Sequence, residues 1–522
     1  MARLALISVS DKTNVVELAR QLVEQYGFDL ISSGGTARTL QEAGIPVTPV
    51  GQHTGAPEML GGRVKTLHPR VHGGILAQLD LEQDRLDLAQ QGIPAIELVV
   101  VNLYPFEQTV AQPGVTLAEA IEKIDIGGPT LVRAAAKNYA HVTVLTDPAQ
   151  YQPYLQELAS QSSPRLSFRW QCSRQAFSRI LDYDRAIAAY LDAQPDPDTH
   201  APAAPSPLPE RLTVHGIPKQ TLRYGENPHQ AARWYRDPGL EQGWSSAVQW
   251  QGKELSFNNL VDLEAARAIA AEFVAGQQAA AVVIKHTNPC GVALGETLAQ
   301  AYERALAADS VSAFGGIVAL TQPIDVATAT QLTQTFLECV VAPGVDAAAA
   351  EILQTKKNLR VLTLADLSVG PAFSLRPIAG GILVQQADDH PSDPSAWTTV
   401  TERIPSPVEQ SDLAFAWRVC KHVKSNAIVI SHHHQTLGIG AGQMNRVGSV
   451  KIALEQAGEK ARGAVLASDG FFPFGDSVEL MAAAGIAAII QPGGSLRDQD
   501  STDVANQHQL AMLHTGLRHF LH

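Results

Sequence analysis

Cysteine is scarce in this sequence: four among 522 residues, Cys172, Cys290, Cys339 and Cys420, far apart and with no CxxC pair. That pattern argues against a disulfide framework and fits a reducing compartment. Long apolar runs are also missing. No stretch reaches the roughly 18 apolar residues of a membrane span, and the leading LALISV (4–9) is too short for a signal-peptide core. There is no long basic run, and Lys+Arg 39 against Asp+Glu 52 leaves a net charge of −13. Nucleic acid and anionic membranes are therefore disfavoured as partners. Small anionic substrates stay open, because a local cluster of Lys and Arg can invert the field in a cleft. We expect a cytoplasmic, water-soluble protein. Its 45% hydrophobic and 17% charged residues are those of a globular chain. Its length calls for about two to four domains.

What is present alternates. In the first 150 residues LALISV (4–9), DLIS, IELVVV (96–101) and HVTVLT (141–146) read as strands, with helical periodicity in TNVVELARQLVEQYG and SGGTARTLQEAG. Near-continuous apolar strands between helices predict a parallel, doubly wound α/β domain over 1–195. Residues 196–210, inside the six-proline stretch QPDPDTHAPAAPSPLPE, read as a linker. From 211 to 522 α/β character resumes. QAAAVVI, GGIVAL, CVVA, LRVLTL, GGILV, AIVIS, GAVLAS and IAAIIQ are strands, and ETLAQAYERALAAD, VEQSDLAFAWRVCKHV and SVKIALEQAGEKA are helices. A strand, a short polar motif and a helix recur near 285, 426 and 468, which hints at a duplication. Two subdomains are expected, at about 211–375 and 376–522.

Several short motifs can carry chemistry. SSGGTAR (32–38) follows a strand and opens a helix, where backbone N–H groups and the helix dipole favour an anion. It fits neither GxGxxG nor the Walker lysine loop, so no dinucleotide or ATP site is indicated. GGRVKTLHPRVHGGIL (61–76) gathers Arg63, Lys65, His68, Arg70 and His72 between paired glycines, as a solvated basic loop or an anion site. VNLYPF (101–106) brings Asn102 and Tyr104 to a strand end, where open α/β sheets bind ligands. DIGGPTLVRAAAKN (125–138) sets Asp125 and two glycines before a helix. Together the three loops suggest one phosphorylated ligand.

IKHTNPCG (284–291) holds Lys285, His286 and Cys290 at a strand end. A zinc deaminase would need an HxE and a PCxxC pair, but position 293 is Ala and no HxE is near. SHHH (431–434) has three adjacent histidines, yet consecutive side chains on a strand point to opposite faces. Zinc is disfavoured on these grounds. A thiol nucleophile stays open. The remaining reading makes Lys285 an oxyanion donor and His286 a general base.

RVKTLHP, DIGGPTLVRAAAKN, RYGENPHQ, KHTNPCG, SAFGG, KSNAIV, GIGAGQ and SDGFFPFGDS occur in this order along the whole chain. This series closely resembles the bifunctional purine biosynthesis family, AICAR formyltransferase joined to IMP cyclohydrolase. The resemblance implies a methylglyoxal-synthase-like α/β domain that cyclises formyl-AICAR to IMP. Tandem cytidine-deaminase-like domains without zinc would follow, passing a formyl group from 10-formyltetrahydrofolate to AICAR. It implies a homodimer and no catalytic metal, and leaves room for a structural monovalent cation.

By motif, the resemblance assigns Ser10, Asp11, Lys12, Ser33, Gly34, Gly35, Thr36, Arg63, Lys65, Thr66, Asn102, Tyr104 and Ile126 to the IMP site, with Asp125 and Lys137 as its catalytic groups. In the transferase it implies His286 as base, Lys285 as stabiliser and Asn426 as a further catalytic residue. AICAR contacts would be Arg223, Tyr224, Phe314, Gly315, Arg446 and Arg518, and folate would meet Phe471, Pro473 and Asp476. Asn445, where serine is usual, and Leu521, in a usually more basic C-terminus, depart from the family pattern. A zinc-dependent nucleobase deaminase and a non-catalytic nucleotide-binding protein are the alternative readings.

Overall fold

Residues 3–195, 208, 211–237 and 240–522 are described, from a computed structural model. The expected linker at 196–210 lies outside the described residues apart from Leu208. The chain divides into two units, Met1–Ser206 and Pro207–His522.

In the first unit β1 (Arg3–Ile7), β2 (Phe28–Ser32), β3 (Thr48–Pro49), β4 (Leu98–Val100) and β5 (Thr143–Leu145) pair in parallel in the order β3-β2-β1-β4-β5. Strands with both faces covered must be apolar throughout. Accordingly Leu6, Ile7, Val99, Val100, Val144 and Leu145 are all at most 1% exposed. The strand order reverses between β1 and β4, and open α/β sheets bind ligands beyond the strand ends at such a point. The loops leaving β1, β2 and β4 there carry SVSDK, SGGT and VNLY.

In the second unit β6 (Ile217–Thr221) and β7 (Arg233–Arg236) form a separate ribbon. Twelve described strands then build one sheet. One half contains β8 (Val248–Gln251), β9 (Ala279–Lys285), β10 (Asn288–Gly295), β11 (Gly316–Leu320), β12 (Leu337–Ala342) and β13 (Arg360–Thr363). A second ribbon, β14 (Phe373–Ile378) and β15 (Gly381–Gln386), follows. The other half contains β16 (Thr398–Thr399), β17 (Ile428–His432), β18 (Gln435–Gly440), β19 (Val465–Ser468), β20 (Ala488–Gln491) and β21 (Ala511–His514).

The order β16-β21-β20-β19-β17-β18-β10-β9-β11-β12-β13-β8 reads the same from either edge once the halves are exchanged. Helices match too: Phe257–Ala271 and Pro407–Cys420 precede the hairpins, and Leu298–Ala308 and Arg446–Ala457 follow them. The hinted duplication is thus present at the level of topology, with β10 and β18 antiparallel at its centre. The division expected near 375 falls inside β14.

Strands β10 and β18 were not expected. Neither NPCGVALG nor the GIGAGQ motif reads as a strand from the sequence, whereas Asn288–Gly295 and Gln435–Gly440 are the return strands of hairpins. Their glycines serve close packing. A Cβ on Gly291 would lie 1.9 Å from the Ala305 carbonyl oxygen, and one on Gly438 would lie 2.0 Å from that of Ala453. The ribbon at GGILV also differs from a core strand: Leu375, Ile378, Ile382 and Leu383 are 44–56% exposed.

Candidate active sites

The first site forms where β1, β2 and β4 end. Asn102 Oδ1 accepts the N–H groups of Ser10 (2.5 Å) and Asp11 (2.9 Å), and its Nδ2 donates to the Asp11 carbonyl (3.0 Å). One amide thereby ties together the two loops at the switch point. Lys12 Nζ donates to Thr36 Oγ1 (2.9 Å) and to the Val9 carbonyl, and burial lowers its pKa. Ser33 Oγ meets Ser8 Oγ at 2.9 Å. The Gly34–Glu42 helix begins there with Gly34 at φ 49°, a left-handed value that suits glycine.

Lys65 and Thr66 complete the cluster. A Cβ on Gly34 would stand 3.4 Å from Lys65 Nζ, and one on Gly127 would stand 3.0 Å from Thr66 Oγ1. Asp125 Oδ1 accepts the Gly128 N–H (2.8 Å), and a Cβ on Gly128 would come 2.3 Å from Oδ2. The GG pair therefore lets the carboxylate tuck against the start of the helix. Burial raises the Asp125 pKa, against the lowering by N–H groups of Gly128, Tyr104 and Gly127. The product is a two-amine pocket with N–H donors and a carboxyl that holds its proton more tightly than usual.

The second site opens at one end of the twelve-stranded sheet. A cavity of about 370 Å³ is lined by Arg223, Tyr224, Asp262, Lys285, His286 and Gly315 among others. Lys285 Nζ donates to the carbonyls of Phe314 (3.0 Å) and Gly315 (3.1 Å). An ammonium has three donors, so one N–H is left for a ligand. His286 and Thr287 have φ of 52° and 64°, the values of a two-residue hairpin turn. Asp262 Oδ1 accepts the Thr287 N–H at 2.7 Å, and burial raises its pKa. Arg223 stacks on its neighbour Tyr224 (4.8 Å to the ring).

Beside this turn the Asn288 side chain accepts the Lys424 N–H (3.1 Å), which brings the Ser425–Asn426 loop to the same sheet end. A second cavity, of about 340 Å³, is lined there by Ser425, Asn426, Gln443 and Phe520 among others. Arg446 donates to Asn426 Oδ1 (2.7 Å), to Ser468 Oγ (2.8 Å) and to the fully buried Asp469.

The family model for the AICARFT/IMPCHase bienzyme matches residues 135–456, and that for the MGS-like domain matches residues 14–130. Relatives named bifunctional purine biosynthesis protein PurH are 62% identical in Synechococcus elongatus, 60% in Nostoc sp. and 61% in Nostoc punctiforme. Each match spans 523 residues and 100% of both chains. The chain belongs to the AICARFT/IMPCHase bienzyme family. An MGS-like domain followed by the bienzyme region is the order expected from the motifs.

Against that membership, the expected residues separate into those brought together and those not. Ser10, Asp11, Lys12, Ser33, Gly34, Thr36, Lys65, Thr66, Asn102 and Asp125 meet at the switch point; Tyr104 and Ile126 sit at its exposed rim (50% and 60%). Arg63 is exposed and paired with Glu122 (2.6 Å). Of the remaining basic cluster, His68 caps its helix through the Arg70 N–H, Arg70 holds the Gly92 carbonyl, and burial lowers the His72 pKa. Lys137 is exposed at the C-terminal end of the Gly127–Lys137 helix, about 15 Å along the axis from Gly127 at 1.5 Å per residue.

In the second unit Lys285, His286, Arg223, Tyr224 and Gly315 share one cavity, with Phe314 stacked on Phe336 at its edge (5.2 Å). Arg446 donates to Asp469 and to Asn426. Arg518 is exposed, 4.8 Å over the Phe520 ring. Phe471 and Asp476 are exposed and Pro473 is half-buried, whereas Phe472 is core. Cys290 is packed among core residues and burial pushes its thiol up to about 12, which disfavours the thiolate a nucleophile needs. Of the two departures, Asn445 caps its helix by accepting the Gly448 N–H (2.8 Å), and Leu521 meets Ser425 through its backbone.

Asp262 was missed. Its signal lay in the repeat, since VDL (261–263) and SDL (411–413) stand at the same place in the two halves.

Proposed function

We propose that the activities of this bifunctional AICAR formyltransferase and IMP cyclohydrolase divide between the two sites described. The transfer site is the cavity shared by Lys285, His286, Arg223, Tyr224 and Gly315, and that shared lining is the observation that carries the reading. The formyl donor is 10-formyltetrahydrofolate. The AICAR amine is a weak nucleophile because its lone pair is delocalised. His286 takes its proton as the nitrogen attacks the formyl carbon, worth roughly 10² to 10⁴ in rate. Lys285, held by two carbonyls with one donor left, meets the negative charge on the formyl oxygen. Tetrahydrofolate then leaves with the proton on N10. Asn426, fixed by Arg446, and the rim residues Phe314 and Arg518 contact AICAR, while Phe471, Pro473 and Asp476 face the folate.

Cyclisation takes place at the switch point of the first unit. The carboxamide nitrogen attacks the new formyl carbon and water is lost, a reaction within one molecule that depends on positioning. The N–H groups at the starts of the Gly34–Glu42 and Gly127–Lys137 helices, with Lys12 and Lys65, hold the phosphate and the tetrahedral oxygen. Asp125, with its raised pKa, moves the proton. The active protein is a homodimer, supported by the exposed apolar ribbon at 373–386.

Replacing His286 with Ala is expected to lower formyl transfer by roughly 10² to 10⁴ while supplied formyl-AICAR is still converted to IMP. Asp125→Asn should do the reverse. A folded His286→Ala protein that lost both activities, or neither, would sink the assignment.

A further inference from the structure

The hairpin turn of the second half is the topological counterpart of the Lys285–His286 turn. In β9–β10 Lys285 pairs with Asn288, and in β17–β18 His432 pairs with Gln435. Lys285, His286 and Thr287 therefore correspond to His432, His433 and His434, and Asp262 to Asp412. Both acids do the same structural work. Asp412 Oδ2 accepts the His433 N–H (2.8 Å) and Oδ1 the His434 N–H (2.7 Å).

Strand alternation does not separate the SHHH side chains. His433 and His434 have φ of 49° and 56°, so they belong to the turn and not to the strand. The His432 and His433 rings come to 3.9 Å, centroid to centroid, on one side. Among the described residues, Asp412, His432 and His433 are the group whose ligand atoms all lie within 4.8 Å of one another. His432 Nδ1 is buried with no hydrogen-bond partner and stands 3.6 Å from Asp412 Oδ2. His434 Nε2 meets Ser411 Oγ (2.7 Å) and stands 3.9 Å from Asp412 Oδ1.

We propose that Asp412, His432 and His433 form a binding site for a borderline divalent transition cation such as Zn²⁺ or Co²⁺. Two imidazoles and one carboxylate suit such ions better than Mg²⁺ or Ca²⁺. Metal–nitrogen bonds of about 2.0–2.1 Å put neighbouring ligand atoms roughly 3.3 Å apart, and the exposed His433 ring closes that gap by rotation. The two backbone bonds to Asp412 leave each oxygen another lone pair. They orient it as ligating carboxylates are oriented elsewhere. The opposing charge is Arg304, whose guanidinium is spent on the carbonyls of Leu294 and His433. Gln435 pairs with Ala293 and Asn288 begins the same strand, so the two turns stand about 17 Å apart along β10 at about 3.4 Å per residue. The cation is thus outside the formyl-transfer cavity.

The test uses the full chain without an affinity tag, stripped by chelator and titrated with Co²⁺, read by visible absorption and by Zn²⁺ competition. One equivalent should bind. His432→Gln and His433→Asn should each weaken binding at least about tenfold with formyl transfer unchanged. Asn is chosen at 433 because it tolerates the left-handed backbone. No stoichiometric binding, or variants that bind like the parent, would overturn the site. If His432→Gln fails to fold, the exposed position 433 decides alone.

Discussion

At the scale of single residues, the Lys285–His286 turn depends on a side chain outside it. Asp262 accepts the Thr287 N–H and so sets the direction in which His286 leaves the strand. Asp262→Ala should lower kcat of formyl transfer by up to about 10²-fold, and Asp262→Asn, which keeps an acceptor oxygen, should restore most of it. Cyclisation measured on the same samples should not move; a parallel fall in both would point to unfolding. In the other site the raised pKa of Asp125 is set by burial. The acid limb of the cyclisation rate should accordingly lie above the ordinary aspartate range, and a limb within that range would remove Asp125 as the proton carrier.

Elements are joined by two devices, one across the duplication and one within each half. The first is the half-buried Glu272, at the end of one pre-hairpin helix, which accepts from His422 Nε2 (3.0 Å) and pairs with Lys421 (3.0 Å) at the end of the other. Burial acts against its charge, but these partners outweigh it and hold the carboxyl at about 2, below its ordinary 4.5. A depressed pKa means that the stabilisation is complete above about 4.5 and lost as the pH falls toward about 2. Glu272→Gln should therefore lose roughly 1–3 kcal/mol near neutrality, with the difference from the parent shrinking in acid. Denaturant melts at several pH values would detect a pH-independent difference, which would refute the linkage. The second device is the glycine under each hairpin. Gly438→Ala sets a methyl 2.0 Å from the Ala453 carbonyl oxygen, and a loss of about 1–3 kcal/mol or more is expected, read as a fall in Tm.

For the whole molecule, the exposed ribbon at 373–386 is the feature a single chain does not explain. Large apolar surfaces of this kind mark contacts between chains. Leu383→Glu is expected to shift the protein from dimer to monomer in sedimentation. A protein that is monomeric before substitution would refute the homodimer.

Local sequence was sufficient wherever short-range physics is decisive. Parallel strands buried on both faces must be apolar along their length, so IELVVV and HVTVLT announced β4 and β5, and SGGT announced a helix start with open backbone N–H groups. Ordered motifs made the family legible, and the cluster of Lys12, Thr36, Lys65 and Asp125 was named residue by residue. The hairpins at 286–287 and 433–434 were hidden, because their turns use His and Thr where Asn-Gly is the usual signal. Missing them concealed Asp262 and placed His433 and His434 on a strand they leave. What only the tertiary structure decided was which of the named polar groups converge. That depends on strand order, turn handedness and the antiparallel meeting of β10 with β18, which bring together residues more than a hundred positions apart, such as Asn288 and Lys424.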